Sequence, residues 1–167
     1  MPVTGNPDGT LRPESLPQAA AEAASKQLRP LMRLQLPADP VAPSMARTQV
    51  RRWLTALAWP TGQLDVILLA VTEAVSNAAE HAYHDRAPGM IEISGRVEIT
   101  PGGQRGVALT VRDHGHWRPP RRDDDGQRRG IPLMRACMDT VTIGPATDDR
   151  AGTQVVLRSR TVPAASG

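Results

Sequence analysis

The chain has 167 residues, enough for one domain with tails, and 40 % of them are hydrophobic, which suffices for a core even without a single Phe. Nineteen Arg and one Lys, Lys26, leave a formal net charge of only +3. The Arg form no single basic block of the nucleic-acid kind, so direct nucleic-acid binding is not expected; an acidic protein partner or a phosphorylated ligand fits the charge equally well. One cysteine, Cys137, rules out an internal disulfide and a cysteine-based zinc site, no run approaches the roughly 18 apolar residues of a membrane helix, and the N-terminus lacks a basic head followed by an apolar run.

Residues 1–30 are rich in Pro, Gly and Ala without periodic apolar positions and read as a disordered tail. "LMRLQLP" alternates and predicts a first strand over 31–36. Ser44 is the candidate cap of a helix running to about Ala58, with Val50, Trp53, Leu54 and Leu57 at helical spacing, and "WPTG" breaks it. A second helix is predicted from about Gln63 to Tyr83. "GMIEISGRVEIT" and "RGVALTVRDHG" alternate around a turn at "PGGQ" and predict a hairpin. An aperiodic loop, "HGHWRPPRRDDDGQRRG", precedes a short helix at "GIPLMRACMD". Two more strands, "TVTIGP" and "GTQVVLRSR", flank a turn, and 161–167 read as a second disordered tail. This order predicts a domain over 31–160: an α/β two-layer sandwich, with a mixed, mostly antiparallel sheet and helices on one face.

The second helix carries an unusual polar face. At about 100° per residue, Glu73, Asn77, Glu80, His81 and His84 share one side, and Leu64, Ile67, Leu68, Val71, Val75, Ala78 and Ala82 the other. A solvated face is the plainer reading. Yet it is short of Lys, Arg and Gln, and Ala74, Ala78 and Ala79 leave open space beside Glu73 and Asn77. A carboxylate and an amide oxygen one turn apart suit a proton acceptor and a hard cation such as Mg²⁺.

Three further pieces are weak singly. Asp113 leaves a strand and is followed by Gly115, where a ligand can approach the backbone. Gly130 opens a helix whose free N–H groups suit phosphate oxygens. Thr153 presents a hydroxyl at a strand start.

Together and in order, "EAVSNAAEHAY", "DHGHW", "RRGIPLM" and "GT" at 152–153 resemble the nucleotide-binding motifs of the GHKL ATPase superfamily, over about residues 32–158. The short chain and the Glu-Ala-x-x-Asn-Ala-x-x-His-Ala-Tyr form look most like the anti-sigma factor serine/threonine kinases of partner-switching systems, and Trp117 with Pro119-Pro120 is similar to stand-alone actinobacterial members. The resemblance implies a Bergerat-type ATP-binding fold. It makes Glu73 the catalytic general base, Asn77 the Mg²⁺ ligand on ATP, and Asp113 the acceptor for the adenine amino group. Gly115 would admit the base, residues 116–129 would form a lid, Gly130 would start the phosphate-binding helix, and Thr153 would assist Asp113. His81 is placed with the binding residues as one that orders the helix by hydrogen bonding. Two departures stand out: His116-Trp117 replace a glycine-containing turn, and Arg128-Arg129-Gly130 replaces Gly-x-Gly. The lid arginines, Arg129 among them, face the triphosphate or pair with Asp123–Asp125.

The expected function is therefore an ATP- and Mg²⁺-dependent Ser/Thr kinase that doubles as an anti-sigma factor. Its expected partners are a sigma factor and a STAS-domain anti-anti-sigma protein, with no membrane association, a cytoplasmic location and a homodimer left open. The alternative is a protein-binding module of the same fold with little or no turnover. The basic residues of the first helix, Arg47, Arg51 and Arg52, are a candidate partner surface.

Overall fold

The computed structural model describes residues 32–82, 87, 89–116, 127–146 and 151–164, with 127–129 described in their backbone only. The predicted tail over 1–30, Tyr83, His84 and most of the predicted lid lie outside these residues.

Strand β1 (Met32–Pro37) alternates as its sequence demands, with Leu36 buried and Arg33 and Gln35 exposed. Helix α1 (Ala42–Ala56) begins earlier than Ser44. Asp39 supplies the terminus, its Oδ1 accepting from the N–H groups of Val41 and Ala42 at 2.9 and 3.0 Å. The Ser44 hydroxyl instead donates to the carbonyl of Val41 within the first turn. The buried stripe Ala42, Ala46, Val50, Leu54 repeats every four residues. The helix stops where Ala58 takes a left-handed φ of 49° and the N–H of Trp59 closes back on the Leu54 carbonyl.

Helix α2 (Thr61–His81) follows Pro60 and buries Leu64, Ile67, Leu68, Val71 and Val75. These residues meet Ile91 and Ile93 of β2 (Met90–Ile99) and Leu109 and Val111 of β3 (Arg105–Asp113) in one hydrophobic core. Helix α3 (Gln127–Cys137) adds Met134 to that core, and Cys137 packs half-buried against it. Strands β4 (Thr140–Pro145) and β5 (Thr153–Arg158) complete the sheet.

The strand order is β1-β2-β3-β5-β4, and all four pairings are antiparallel, so the sheet is not mixed. After α3 the chain enters at the far edge as β4, and β5 returns between β4 and β3. The two-layer sandwich is as expected, with the helices over one sheet face. A tail starting at 161 is not what the chain forms: Val162 is 4 % exposed and exchanges two 2.7 Å hydrogen bonds with Arg105. The Arg105 guanidinium donates to the carbonyls of Leu57 and Pro163 and lies 5.0 Å from the centre of the Trp59 ring. The chain end is thus fastened to the end of α1.

Candidate functional site

Glu73 and Asn77 stand half-buried one turn apart on α2, on the side away from the Leu64–Val75 stripe. They face the first turn of α3. A Cβ placed on Gly130 would lie 3.1 Å from Glu73 Oε2, and 3.4 and 3.6 Å from Asn77 Nδ2 and Oδ1. Any side chain at 130 would therefore fill the space into which the carboxylate and the amide project. Helix α3 starts at Gln127, three residues before Gly130, so Gly130 belongs to the turn whose four leading N–H groups have no intrahelical acceptor. A partly positive helix end, a carboxylate and an amide oxygen converge there.

A second cluster forms where β3 ends. Asp113 is 3 % exposed. Its Oδ1 accepts from the backbone N–H groups of Gly115 and Thr153, both at 3.0 Å. Burial pushes its carboxyl above the usual carboxylate range; those two N–H groups, the Thr153 side chain and His114 pull in the opposite direction and do not overcome it. Thr153 thus holds Asp113 through its backbone N–H.

Two glycines make this corner possible. A Cβ on Gly115 would overlap the carbonyl oxygen of Ala82, the residue that ends α2. Gly152 has a φ of 72°, and a Cβ there would overlap the carbonyl oxygen of Asp113. The Gly152 N–H donates to the Gly115 carbonyl at 2.7 Å, which ties the two turns together. Because Gly115 abuts Ala82, the Asp113 cluster sits at the C-terminal end of the same helix that carries Asn77, five residues or about 7.5 Å of helix away.

The structure therefore joins Glu73 and Asn77 with Gly130, and Asp113 with Gly115 and Thr153, along one stretch of α2. His81 lies at the exposed helix end, its Nε2 3.8 Å from Glu80 Oε2, and bonds with neither cluster in the contacts described. Arg129 falls in the first turn of α3, with its side chain outside the described residues. Residues 117–126 of the predicted lid are likewise outside them. Gly152 belongs to the "GT" pair at 152–153, and it acts in this corner through its left-handed backbone and close approach to Asp113, which residue type alone does not show.

No three His, Cys, Asp or Glu residues cluster as a metal site among the described residues. Asn77 still fits Mg²⁺, which takes few protein ligands when substrate phosphates supply the others. The cradle that a Cβ at Gly130 would fill is the space open beside its amide.

A profile of the histidine kinase-like ATPase domain matches residues 36–159, which includes every residue of both clusters. The chain belongs to the histidine kinase-like ATPase family. The resemblance carried by the four motifs is thereby borne out, and with it the ATP-binding character of the domain. The chain is similar to the anti-sigma F factor of Geobacillus stearothermophilus, with 32 % identity over a 144-residue alignment that covers 78 % of this chain and 92 % of that one. Among solved structures it is similar to the RsbU and RsbW domains of Rv1364c from Mycobacterium tuberculosis, with a TM-score of 0.57 and 25 % identity. That match covers 81 % of this chain and 34 % of the other, so the present chain spans about a third of that protein's length. No described helix is long and apolar enough to cross a membrane.

Proposed function

We propose that the protein is a cytoplasmic anti-sigma factor that binds ATP and phosphorylates a serine or threonine of a STAS-domain anti-anti-sigma protein, so that transcription is controlled by partner switching. The approach of Gly130 to both Glu73 and Asn77 carries this reading. It sets a proton acceptor and a cation ligand beside a helix end suited to phosphate, and it does so in a chain similar to an anti-sigma F factor.

Asp113 accepts the adenine amino group, with Gly115 clearing the approach of the base. Asn77 offers its amide oxygen to Mg²⁺, which when bound offsets the charge of the ATP phosphates. Glu73 takes the proton from the partner's hydroxyl. That oxygen forms its bond to the γ-phosphorus as the bond to the β–γ bridging oxygen breaks and ADP leaves.

The replacement of glycine by Arg128 bears on whether turnover survives. Residue 128 lies in the right-handed helical turn of α3, and the one non-glycine residue with positive φ among those described is Ala58. Arg128 therefore stands there without backbone strain, which supports a working phosphate-binding turn.

Two variants separate the roles. Glu73→Gln should bind Mg·ATP like the parent in calorimetry and lose phosphotransfer to the STAS protein by about 10²–10⁴-fold. Asn77→Ala should lose the Mg²⁺-dependent part of nucleotide binding. A parent that sequesters a sigma factor but transfers no phosphate to any STAS partner would replace the kinase reading with that of a binding module.

A further inference from the structure

The helices cover one face of the sheet; the other forms an open groove of about 880 Å³ whose lining mixes charged and polar residues with Leu34, Ile93 and Gly95. Its charges are unevenly matched. Arg96 is paired with Glu98 at 2.7 Å, and Arg158 reaches the same carboxylate at 3.4 Å. Glu92 is taken by His114 at 3.0 Å. Arg33 and Arg112, which line the groove, are in no ion pair among the described residues, and the Arg112 Nε is buried with no hydrogen-bond acceptor. A guanidinium without a carboxylate partner is available to an incoming one, and such charge-assisted pairs are roughly twice as strong as neutral hydrogen bonds.

The register gives the spacing. Arg33 of β1 stands in line with Ser94 and Thr110, and Arg112 lies two residues further along β3, in line with Glu92 and Gln154. Two strand steps of about 4.8 Å and two residues of about 3.4 Å put their Cα atoms roughly 12 Å apart. Acidic residues four apart on an extended segment are separated by about 13 Å on one side of it. On β2 the line between the two arginines passes between Ser94, whose hydroxyl can pair with a peptide group, and Glu92, whose carboxylate is held by His114.

We propose that the open sheet face is a docking surface for an acidic segment of a partner protein, gripped by the guanidinium groups of Arg33 and Arg112. A nucleic acid suits the face less well, since its backbone carries a charge at every nucleotide, whereas the two arginines without a carboxylate partner among the described residues stand roughly 12 Å apart and the other charges lining the face, Glu92, Glu98, Arg96 and Arg158, are already paired. A second copy laid face to face would set like-charged faces together. Helix α1 is the weaker candidate surface, because Arg51 is already engaged by Asp65 of α2 at 3.5 Å. This docking surface is independent of nucleotide chemistry and lies on the opposite side of the sheet from α2.

The test uses the full chain and a fluorescein-labelled nine-residue peptide of alternating Glu and Ser, read by anisotropy at low salt, with a Gln/Ser peptide as control. The parent should bind the acidic peptide and not the neutral one. Arg33→Glu with Arg112→Glu should weaken binding by about tenfold or more, and the exposed single substitution Arg33→Gln should weaken it by a smaller factor. Mg·ATP affinity, measured in parallel, should stay unchanged and so report an intact fold. Equal peptide affinity in the parent and Arg33→Gln would overturn the proposal. So would a DNA oligonucleotide of matching charge binding as tightly as the peptide, or a parent dimer in sedimentation that the double variant dissociates.

Discussion

Asp113→Asn isolates one carboxylate that holds the protein's own backbone and is proposed to read the adenine. Asn keeps an oxygen for the Gly115 and Thr153 N–H groups, so the corner should survive. It loses the charge, and it turns an NH₂ donor toward the adenine amino group, itself a donor. A hydrogen bond to a charged group contributes about 1.5–3 kcal/mol, so ATP affinity should fall by about 10- to 150-fold. Stability should move the other way. With its folded-state pKa raised above the ordinary 3.8, Asp113 contributes stability that is fully present below that value. This contribution is lost as pH rises through the raised value, because ionisation in the buried site is disfavoured. Asn has no such loss, so the melting temperature of the variant relative to the parent should increase from about pH 4 to pH 7. Calorimetric titration with Mg·ATP and a melting series over that range supply both readouts. A variant that binds ATP like the parent would remove Asp113 from the adenine site; a difference in melting temperature that is flat with pH would contradict the buried ionised carboxylate.

Gly115→Ala should lower both the melting temperature and ATP affinity, because its Cβ overlaps the Ala82 carbonyl and the backbone must shift, at a cost of about 1–3 kcal/mol; wild-type values for both would show that the contact yields freely. Ending the chain at Arg160 removes the buried Val162 and its two hydrogen bonds to Arg105. Loss of about 1.5–3 kcal/mol of burial should lower the melting temperature by roughly 3–12 °C. An unchanged melting curve would mean that Val162 adds nothing to the core.

The sequence by itself determined the elements and which side of each is apolar. Period-2 alternation in "MIEISGRVEI" and "RGVALTVRD" and the 3.6-residue stripe of α2 are local signals, fixed by backbone geometry and the burial of apolar groups. The same periodicity put Glu73 and Asn77 on one side of α2, and the order of four short motifs pointed to the family. Element ends were less legible. Ser44 and Asp39 are both good caps in composition, and only the structure shows that the Asp39 carboxylate takes the N–H groups of Val41 and Ala42 while the Ser44 hydroxyl turns back to the Val41 carbonyl. Only the tertiary structure decided that β5 inserts between β3 and β4, because antiparallel pairing leaves no mark of which neighbour a strand will take. It also decided that Gly130 meets Glu73 and Asn77, and that Gly152 and Thr153 close on Asp113 from 40 residues away. A contact between residues far apart in the chain depends on how the packed layers place them, and no local pattern of side chains encodes that placement. Val162 shows the same limit: "TVPAASG" reads as a tail, and Val162 is buried where it pairs with Arg105, a residue more than fifty positions earlier in the chain.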